Sequence, residues 1–263
     1  AGGHGNYDLW QVSIDPIVDL NDDGIVDATD VCVIVDHWGT DDTLCDIGPM
    51  PWGDGVVDVE DLKVLAQHLF TYPGAVAHWK LDETEGNFAH ESVGGSEDVV
   101  MGSPHWRPTG GKVHGALEFD GVDDCVISSS GPNLAKGPFS AYAWVKGAAP
   151  GQVIISQPAG ANWLMTDAEG KLMTELTSSG RDGTPLQSQA IIIDGQWHNI
   201  GLVWDGSQRT LCVDGVVVAE DTQSSMAASA GGLYIGVGKD FAPGSFFSGL
   251  IDDVRIYDRA IHP

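Results

Sequence analysis

Basic side chains are scarce in this sequence. Its 263 residues include 12 Lys and Arg against 38 Asp and Glu, so the net charge is −26. Phosphate backbones repel such a chain, which argues against nucleic acid as a partner. Long apolar runs are also missing, and no stretch approaches the roughly 18 residues that a membrane span needs. The sequence begins Ala-Gly-Gly without Met, from which we expect that a signal peptide was removed and that the protein is secreted to the extracellular space or the cell surface.

Catalytic signatures are missing as well. The sequence has no H-E-x-x-H, no G-x-S-x-G and no E-x-D-x-E, the strand motif that places two carboxylates on one face of a sheet. A retaining glycosidase needs such a pair. The nine histidines are scattered, and no nucleophile–base pair is recognisable. The sequence therefore predicts a protein that is not an enzyme.

Cysteine is limited to four residues, and no C-x-x-C spacing indicates zinc. Four cysteines allow three disulfide pairings. The simplest joins Cys32 to Cys45 and Cys125 to Cys212, which would suit an oxidising compartment. The alternative is four buried free thiols.

Aspartate is abundant near the amino end. Residues 19–30 read D-L-N-D-D-G-I-V-D-A-T-D, with Gly24 placed for a sharp turn. Calcium takes about six to eight oxygen ligands, and this spacing wraps oxygens around one point. The predicted ligands are the side chains of Asp19, Asn21, Asp23, Asp27 and Asp30 and the backbone carbonyl of Ile25. Residues 1–72 carry 15 acidic side chains against Lys63 alone, a repulsion that bound calcium would relieve.

The same pattern returns 31 residues later, where Gly24 recurs as Gly55. Apolar residues with helical spacing follow each loop, so two loop–helix units can pack face to face. These residues are Val31, Ile34 and Trp38 in the first copy and Leu62, Leu65 and Leu69 in the second. The segment resembles a type I dockerin, a calcium-binding module that usually attaches its protein to a cohesin domain. His37 and His68 lie one repeat apart, which favours a packing or surface role for both.

The second loop departs from the calcium pattern, because Met50 and Trp52 occupy its first and third positions. Asp46 lies four residues further back and would supply the missing carboxylate through an enlarged loop. The predicted second ligand set is then Asp46, Asp54, Asp58 and Asp61 with the carbonyl of Val56. The alternative is a metal-free loop held by apolar packing.

From Ala75 onwards, short apolar–polar segments separated by Gly, Asp and Ser turns replace the helical spacing. The predicted strands are Val76–Leu81, Ala116–Phe119, Ser140–Val145, Val153–Ser156, Trp197–Trp204, Thr210–Val213, Gly232–Val237 and Leu250–Tyr257. Many short strands with regular turns indicate a sandwich or jelly roll. The predicted fold class is therefore mainly β, a small two-loop-helix α module followed by an antiparallel β-sandwich jelly roll.

The motifs of this second part occur in a fixed order. They include H-W-K-L-D-E-T-E-G, F-D-G-V-D-D, W-H-N-I-G-L-V-W-D-G and G-L-I-D-D-V-R-I-Y-D-R-A-I. The series resembles a laminin-G-like domain of the concanavalin A-like superfamily over residues 75–263. Such domains usually bind glycans or proteins or act as spacers. The family often has Tyr where this chain has Cys125 and Cys212, which implies a cross-strand disulfide between them.

The tryptophans of the second part divide into two groups. Those on predicted strands are expected to be core residues because of the area that they bury; they are Trp79, Trp144, Trp197 and Trp204. Trp106 and Trp163 lie in loop-like stretches and are the candidates for exposed stacking on a glycan. Asp120, Asp252 and Asp253 either bind a structural calcium, as in some relatives, or cap turns and pair with arginines.

An amino-terminal arm, residues 1–18, precedes the dockerin-like module of residues 19–72. Residues 10–15 alternate apolar and polar, which predicts a strand that pairs with a sheet edge in its own chain or in a neighbour. We expect Trp10, Val12 and Ile14 to take part in assembly. The leading hypothesis is a calcium-stabilised structural protein whose copies assemble head to tail into a filament. The alternatives are a carbohydrate-binding, adhesive surface protein and an accessory module docked to a cohesin-like scaffold.

Overall fold

The computed structural model describes residues 18–21, 23–49, 53–129, 137–158, 160–177, 183–226 and 231–262. Contacts divide the chain into two compact units, one ending at Pro73 and one beginning at Gly74. The predicted arm residues Trp10, Val12 and Ile14 lie outside the described residues, as do Met50 and Trp52. Among the described residues, no helix has the length and apolarity to span a bilayer.

The first unit contains two short helices, α1 (Ala28–Asp36) and α2 (Val59–Gln67). Asp27 and Asp58 cap their amino ends, and each helix carries a capping box in which the third residue bonds back to the cap. These caps satisfy N–H groups that have no partner within the helix. Each helix ends at a histidine whose Nδ1 lies 2.9 Å from a carbonyl four residues earlier, at His37 and His68. The two histidines therefore have the same local role at the helix ends.

The two halves of the first unit cross-pair through short backbone ladders. Val26 of the first loop bonds to residues after α2, and Val57 of the second loop bonds to residues after α1. The bonds are Val26 N to Thr71 O, 3.0 Å, Phe70 N to Val26 O, 2.7 Å, Val57 N to Thr40 O, 2.9 Å, and Gly39 N to Val57 O, 2.8 Å. Each loop is thus anchored to the other half of the module.

The core of this unit is small and is built from repeat-related positions. Val26 and Val57 have no exposed surface, and neither have Ile34 and Leu65. Trp38 was expected on the same apolar face, but it is 49% exposed, because α1 ends before it.

The second unit is a sandwich of two eight-stranded antiparallel sheets. The strands of sheet A are β1 Ala75–Trp79, β4 His105–Arg107, β5 Ala116–Asp120, β7 Phe139–Gly147, β12 Trp197–Trp204, β13 Gln208–Val213, β14 Val216–Thr222 and β16 Ser248–Tyr257. Those of sheet B are β2 Phe88–His90, β3 Glu97–Met101, β6 Cys125–Ser128, β8 Val153–Ser156, β9 Asn162–Thr166, β10 Lys171–Thr174, β11 Leu186–Ile191 and β15 Leu233–Ile235.

Sheet A has the order β14-β13-β12-β7-β16-β5-β4, with β1 also paired to β16. Sheet B has the order β11-β10-β9-β8-β15-β6-β3-β2.

The predicted fold class is confirmed. Asp214 and Gly215 both have positive φ, at 52° and 75°, in the two-residue connection between β13 and β14. This is the backbone that a tight right-twisting hairpin requires. Between the sheets lies one apolar core that includes Trp79, Trp163 and Trp204. The outer faces of the sheets carry the polar and half-exposed side chains from which a site can be built.

Candidate functional site

The aspartates of the first loop fold around its backbone. Asp30 is fully buried and accepts from the N–H groups of Leu20 at 2.7 Å and Asp27 at 2.8 Å. Asp19 accepts from Asp23 N at 3.1 Å and Gly24 N at 3.0 Å. The carboxylates thereby hold the loop in the turn that the sequence predicts.

The second loop repeats this arrangement with Asp46 in the place of Asp19. Asp46 accepts from Asp54 N at 3.0 Å and Gly55 N at 2.8 Å, the residues that correspond to Asp23 and Gly24 after the 31-residue shift. Asp61 is fully buried and accepts from Ile47, Gly48 and Asp58, as Asp30 does in the first loop. Asp46 therefore makes in the second loop the backbone bonds that Asp19 makes in the first.

The donor chemistry of both loops suits a hard divalent cation. Burial raises the pKa of Asp19 to about 6, the N–H of Gly24 opposes the rise, and the negative charges of Asp23 and Asp30 add to it. Burial also raises the pKa of Asp23. A cation would offset this uncompensated negative charge, so the residues present fit calcium.

Three carboxylates of the second unit lie close together. Among the described residues, a group of three acidic residues with oxygens within 4.8 Å of one another occurs once, at Asp120, Asp123 and Asp124. Both oxygens of Asp124 accept from backbone N–H groups, and Asp120 Oδ1 accepts from Val122 N at 2.7 Å. Asp252 Oδ2 likewise accepts from Lys112 N and Val113 N. Asp120, Asp124 and Asp252 therefore hold the backbone of nearby loops.

The predicted disulfides are wrong, because all four cysteines are free thiols in the structure. Cys32 is exposed on α1, whereas Cys45 is buried. Cys125 and Cys212 are buried on β6 and β13, which belong to different sheets and are not neighbouring strands. Burial raises the pKa of each of these two thiols to about 11.

Trp106 and Trp163 do not form the predicted stacking surface. Trp163 is fully buried in the core, with its ring centroid 5.5 Å from that of Phe139. Trp106 is partly buried against the core, and its Nε1 donates to Gly86 O at 2.8 Å. The two side chains serve packing instead.

A row of outward-facing side chains crosses the end of sheet B. Met165 on β9 pairs with Met173 on β10, which pairs with Gln187 on β11. These three residues line a cavity of about 460 Å³, and Asp167, Glu175 and Pro150 complete its rim. The result is a groove with a thioether floor and polar walls, within the usual size range for small-ligand sites.

A polar cluster lies beside this groove. Glu175 Oε2 accepts from Asn162 Nδ2 at 2.8 Å and from Lys239 Nζ at 3.3 Å. Asn162 Oδ1 in turn accepts from Lys239 N at 3.0 Å. The cluster fixes the Glu175 carboxylate at the rim and ties the segment after β15 to β9.

Half-exposed aromatics extend the same face. Tyr234 on β15 pairs with Ser156 on β8, and Ser156 pairs with Asn162 on β9. Phe241 packs against Tyr234 with ring centroids 4.9 Å apart, and Phe246 lies 6.1 Å from Phe241. Strands lie about 4.8 Å apart, so the face from β11 to β15 is about 19 Å wide over four strand spacings. We call the groove together with these aromatics the sheet B face.

The outer face of sheet A also carries half-exposed tryptophans, which differs from the core placement predicted for them. Trp144 on β7 pairs with Asn199 on β12. Trp197 lies two residues before Asn199 on β12 and therefore faces the same side of the sheet. The Lys112 amine is 5.0 Å from the centre of the Trp144 ring, which leaves less of that ring open to a ligand. Trp79 and Trp204 are buried as expected.

The histidines with the best-defined partners are bonded to carboxylates or carbonyls. His198 lies between Asp214, 2.7 Å from Nδ1, and Asp194, 3.1 Å from Nε2. His90 Nδ1 is 3.0 Å from Glu97 Oε1. Both ring nitrogens of His198 are occupied by carboxylates, so His198 is poorly placed to activate a hydroxyl nucleophile.

The residues of the sheet B face were missed by the sequence analysis. Met165, Met173 and Gln187 come from three strands whose register is not visible in the sequence. One available rule is that successive side chains of a strand point to opposite faces, which places Met173 opposite in direction to the core residue Leu172.

The fold is a two-sheet antiparallel jelly roll with an open groove on one outer face. A laminin-G family model, described as the Concanavalin A-like lectin/glucanases superfamily, matches residues 120–263, more than half of the chain. The protein therefore belongs to this family. A search of curated protein sequences gave no match.

Solved structures share the sandwich. The binding domain of Paraclostridial Mosquitocidal Protein 1 is 12% identical, with a TM-score of 0.57 over 72% of this chain and 50% of that one. Domain 4 of AbnA, an extracellular arabinanase from Geobacillus stearothermophilus solved with arabinotriose, is 19% identical, with a TM-score of 0.51 over 72% and 94%. The ligand-binding domain of botulinum neurotoxin serotype D, solved with N-acetylneuraminic acid, is 11% identical, with a TM-score of 0.53 over 71% and 48%. The match spans about half of the two toxin domains, and at these identities the likeness concerns the fold.

Proposed function

We propose that this protein is a non-catalytic, extracellular carbohydrate-binding protein that takes a glycan on the sheet B face. The observation that carries the proposal is the groove lined by Met165, Met173 and Gln187, on a sheet that also carries the aromatic pair Tyr234 and Phe241. Sugar rings present apolar C–H faces to aromatic and thioether groups and hydroxyls to fixed polar groups. Two proteins with the same fold, the arabinanase domain and the serotype D domain, were solved with sugars.

A glycan array probed with the intact chain tests this proposal, followed by calorimetry with the glycans that bind. Tyr234→Ala should weaken binding about tenfold, since one stacking aromatic is commonly worth more than about 1 kcal/mol. Gln187→Ala should weaken it as well, because the exposed amide lies at the rim. The glycan should be recovered uncleaved.

Matched controls use the same substitutions away from the groove. Phe88→Ala removes an exposed aromatic at the opposite edge of sheet B, and Gln208→Ala removes an exposed amide from sheet A. Both should bind like the unchanged protein. An equal loss of glycan binding in the control variants would contradict the proposal, and so would the absence of binding to any glycan on the array.

The proposal assigns calcium to the first unit. The residues that would hold it are the first-loop set, Asp19, Asn21, Asp23, Asp27, Asp30 and the Ile25 carbonyl, and the second-loop set, Asp46, Asp54, Asp58, Asp61 and the Val56 carbonyl. Bound calcium would supply positive charge at the centre of each loop. The repeat of backbone bonds through Asp46 supports a second site. Calorimetric titration should count two calcium ions, and Asp46→Ala should reduce the count to one.

We also assign attachment to the first unit. This assignment is supported by its exposed large apolar side chains, which would suit a protein partner. They are Val35, Trp38, Leu44, Val56, Val59 and Phe70. The partner that we propose is another copy of this chain or a cohesin-like protein.

The assembly part of this proposal includes the arm with Trp10, Val12 and Ile14. Deleting residues 1–16 should leave folded monomers that no longer polymerise, as judged by light scattering and negative-stain images. Polymers formed by the shortened chain would contradict a role for the arm.

A further inference from the structure

The sheet B groove offers hydrogen-bond acceptors rather than cations. Glu175 Oε2 is occupied by Asn162 and Lys239, and among the described residues nothing bonds to its Oε1. Asp167 Oδ1 accepts from the N–H groups of Glu169 and Lys171 at 2.9 Å each, and Oδ2 has no partner in the same part of the chain. Two carboxylate oxygens at the rim are thus available to a ligand, beside the exposed amide of Gln187.

The lysines near the groove are already engaged. The Lys239 amine is 3.3 Å from Glu175 Oε2, so its charge is offset there. The Lys171 amine donates to Gln189 Oε1 at 3.1 Å, beyond the row that forms the floor. The charged residues that line the groove itself are Asp167 and Glu175, and both are acidic.

Resting on the carbohydrate-binding function proposed above, we infer that the groove selects neutral oligosaccharides and rejects glycans that carry uronic or sialic acid. A sugar hydroxyl donates to a carboxylate and forms a strong, charge-assisted hydrogen bond. A sugar carboxylate has only acceptors, so it can form no such bond with Asp167 or Glu175. It would also meet like charge at the rim, in a chain whose net charge is already −26.

The test is an array with neutral, uronic and sialylated glycans that share core structures, probed with the intact chain in calcium. Neutral members should bind at least about tenfold more tightly than acidic members of the same core. Their binding should change little with salt, because no charge pair is formed. Acidic glycans that bind as well as the neutral ones would overturn the inference and leave the carbohydrate-binding function standing. If no glycan binds, the proposed function itself fails.

Two isosteric variants test the assigned residues. Glu175→Gln and Asp167→Asn each remove a charge and keep an oxygen acceptor. Each should therefore reduce the difference in affinity between neutral and acidic glycans. Glu97→Gln is the matched control, since Glu97 is an exposed carboxylate on β3 of the same sheet, far from the groove in strand order. The assignment is refuted if the difference in affinity between neutral and acidic glycans is unchanged in Glu175→Gln. It is also refuted if that difference decreases equally in Glu97→Gln. Glu175→Gln alone suffices if the Asp167 variant does not fold.

Discussion

The two units of this chain reach stability by different routes. The sandwich closes two sheets over one continuous apolar core that includes Trp79, Trp163 and Phe139. The first unit has a core of a few aliphatic residues, centred on Ile34 and Leu65, and surrounds it with buried aspartates. Small domains bury too little apolar surface to be stable by that alone. The comparison indicates that the sandwich depends on apolar area and the first unit on carboxylates and the cation proposed for them.

Both units bury carboxylates, but the surroundings differ. Asp30 and Asp61 each accept from several backbone N–H groups. Asp252 in the sandwich is also fully buried, and its Oδ1 has no partner among the described residues. In the first unit both oxygens of each buried carboxylate therefore accept from the backbone, whereas in the sandwich only Oδ2 of Asp252 does so.

Removing calcium should give the largest difference between the units. We expect a chelator to unfold the first unit, because the binding energy of calcium would be part of its folding energy. The sandwich should keep its melting temperature. Circular dichroism follows the helices, and near-ultraviolet signals from the buried tryptophans follow the sandwich. A melting curve that a chelator leaves unchanged would contradict the proposal that calcium stabilises the first unit.

Thiol labelling should sharpen the same contrast at single residues. In calcium, an alkylating reagent should modify exposed Cys32 and spare Cys45, Cys125 and Cys212, which are buried and have raised pKa values. Chelation should open Cys45 to the reagent, while Cys125 and Cys212 stay protected until the sandwich melts. Mass spectrometry reads the sites. Two disulfides in the non-reduced protein would contradict the free thiols.

Asp30→Ala should destabilise the first unit by at least about 2 kcal/mol. It leaves the buried N–H groups of Leu20 and Asp27 without an acceptor, and each such loss costs about 1–3 kcal/mol. Asp36→Ala is the control, since Asp36 is exposed on the same helix, and it should change stability by less than about 0.5 kcal/mol. Urea unfolding in calcium measures both. Similar losses in the two variants would mean that net charge, rather than loop shape, controls stability.

Local patterns were readable from the sequence because repeats and turns are set by nearby residues. The shift from Gly24 to Gly55 gave the two loops, and the odd spacing before Gly55 pointed to Asp46, which the structure places as the counterpart of Asp19. The strands Val153–Ser156 and Trp197–Trp204 were predicted with the bounds observed.

What the sequence could not give depends on long-range register. Trp163 was expected to be exposed and Trp144 buried, and the structure reverses both. Irregular pairing between β8 and β9 accompanies the inward placement of Trp163, and such an irregularity changes which side chains face the core. The row of Met165, Met173 and Gln187 was invisible for the same reason, since it exists only once three strands are aligned.

The last difference between the units concerns the pH dependence of stability and Asp252. Burial raises its pKa to about 8, the N–H groups of Val113 and Lys112 oppose the rise, and the charges of Asp253 and Asp82 add to it. The folded state therefore holds a proton that the unfolded chain releases above its ordinary pKa of 3.8. Stability from this group is then lost as the pH rises towards about 8.

Asp252→Asn removes that titration and keeps an oxygen acceptor for Lys112 and Val113. Relative to the unchanged protein, the variant sandwich should gain up to about 1.4 kcal/mol of stability for each pH unit between about 5 and about 8, and its melting temperature should rise by a few degrees for each kcal/mol. Asp258→Asn, at an exposed aspartate just after β16, should show no such trend. Parallel pH curves for Asp252→Asn and the unchanged protein would mean that the sandwich holds Asp252 ionised, and that its buried charge is balanced as in the first unit.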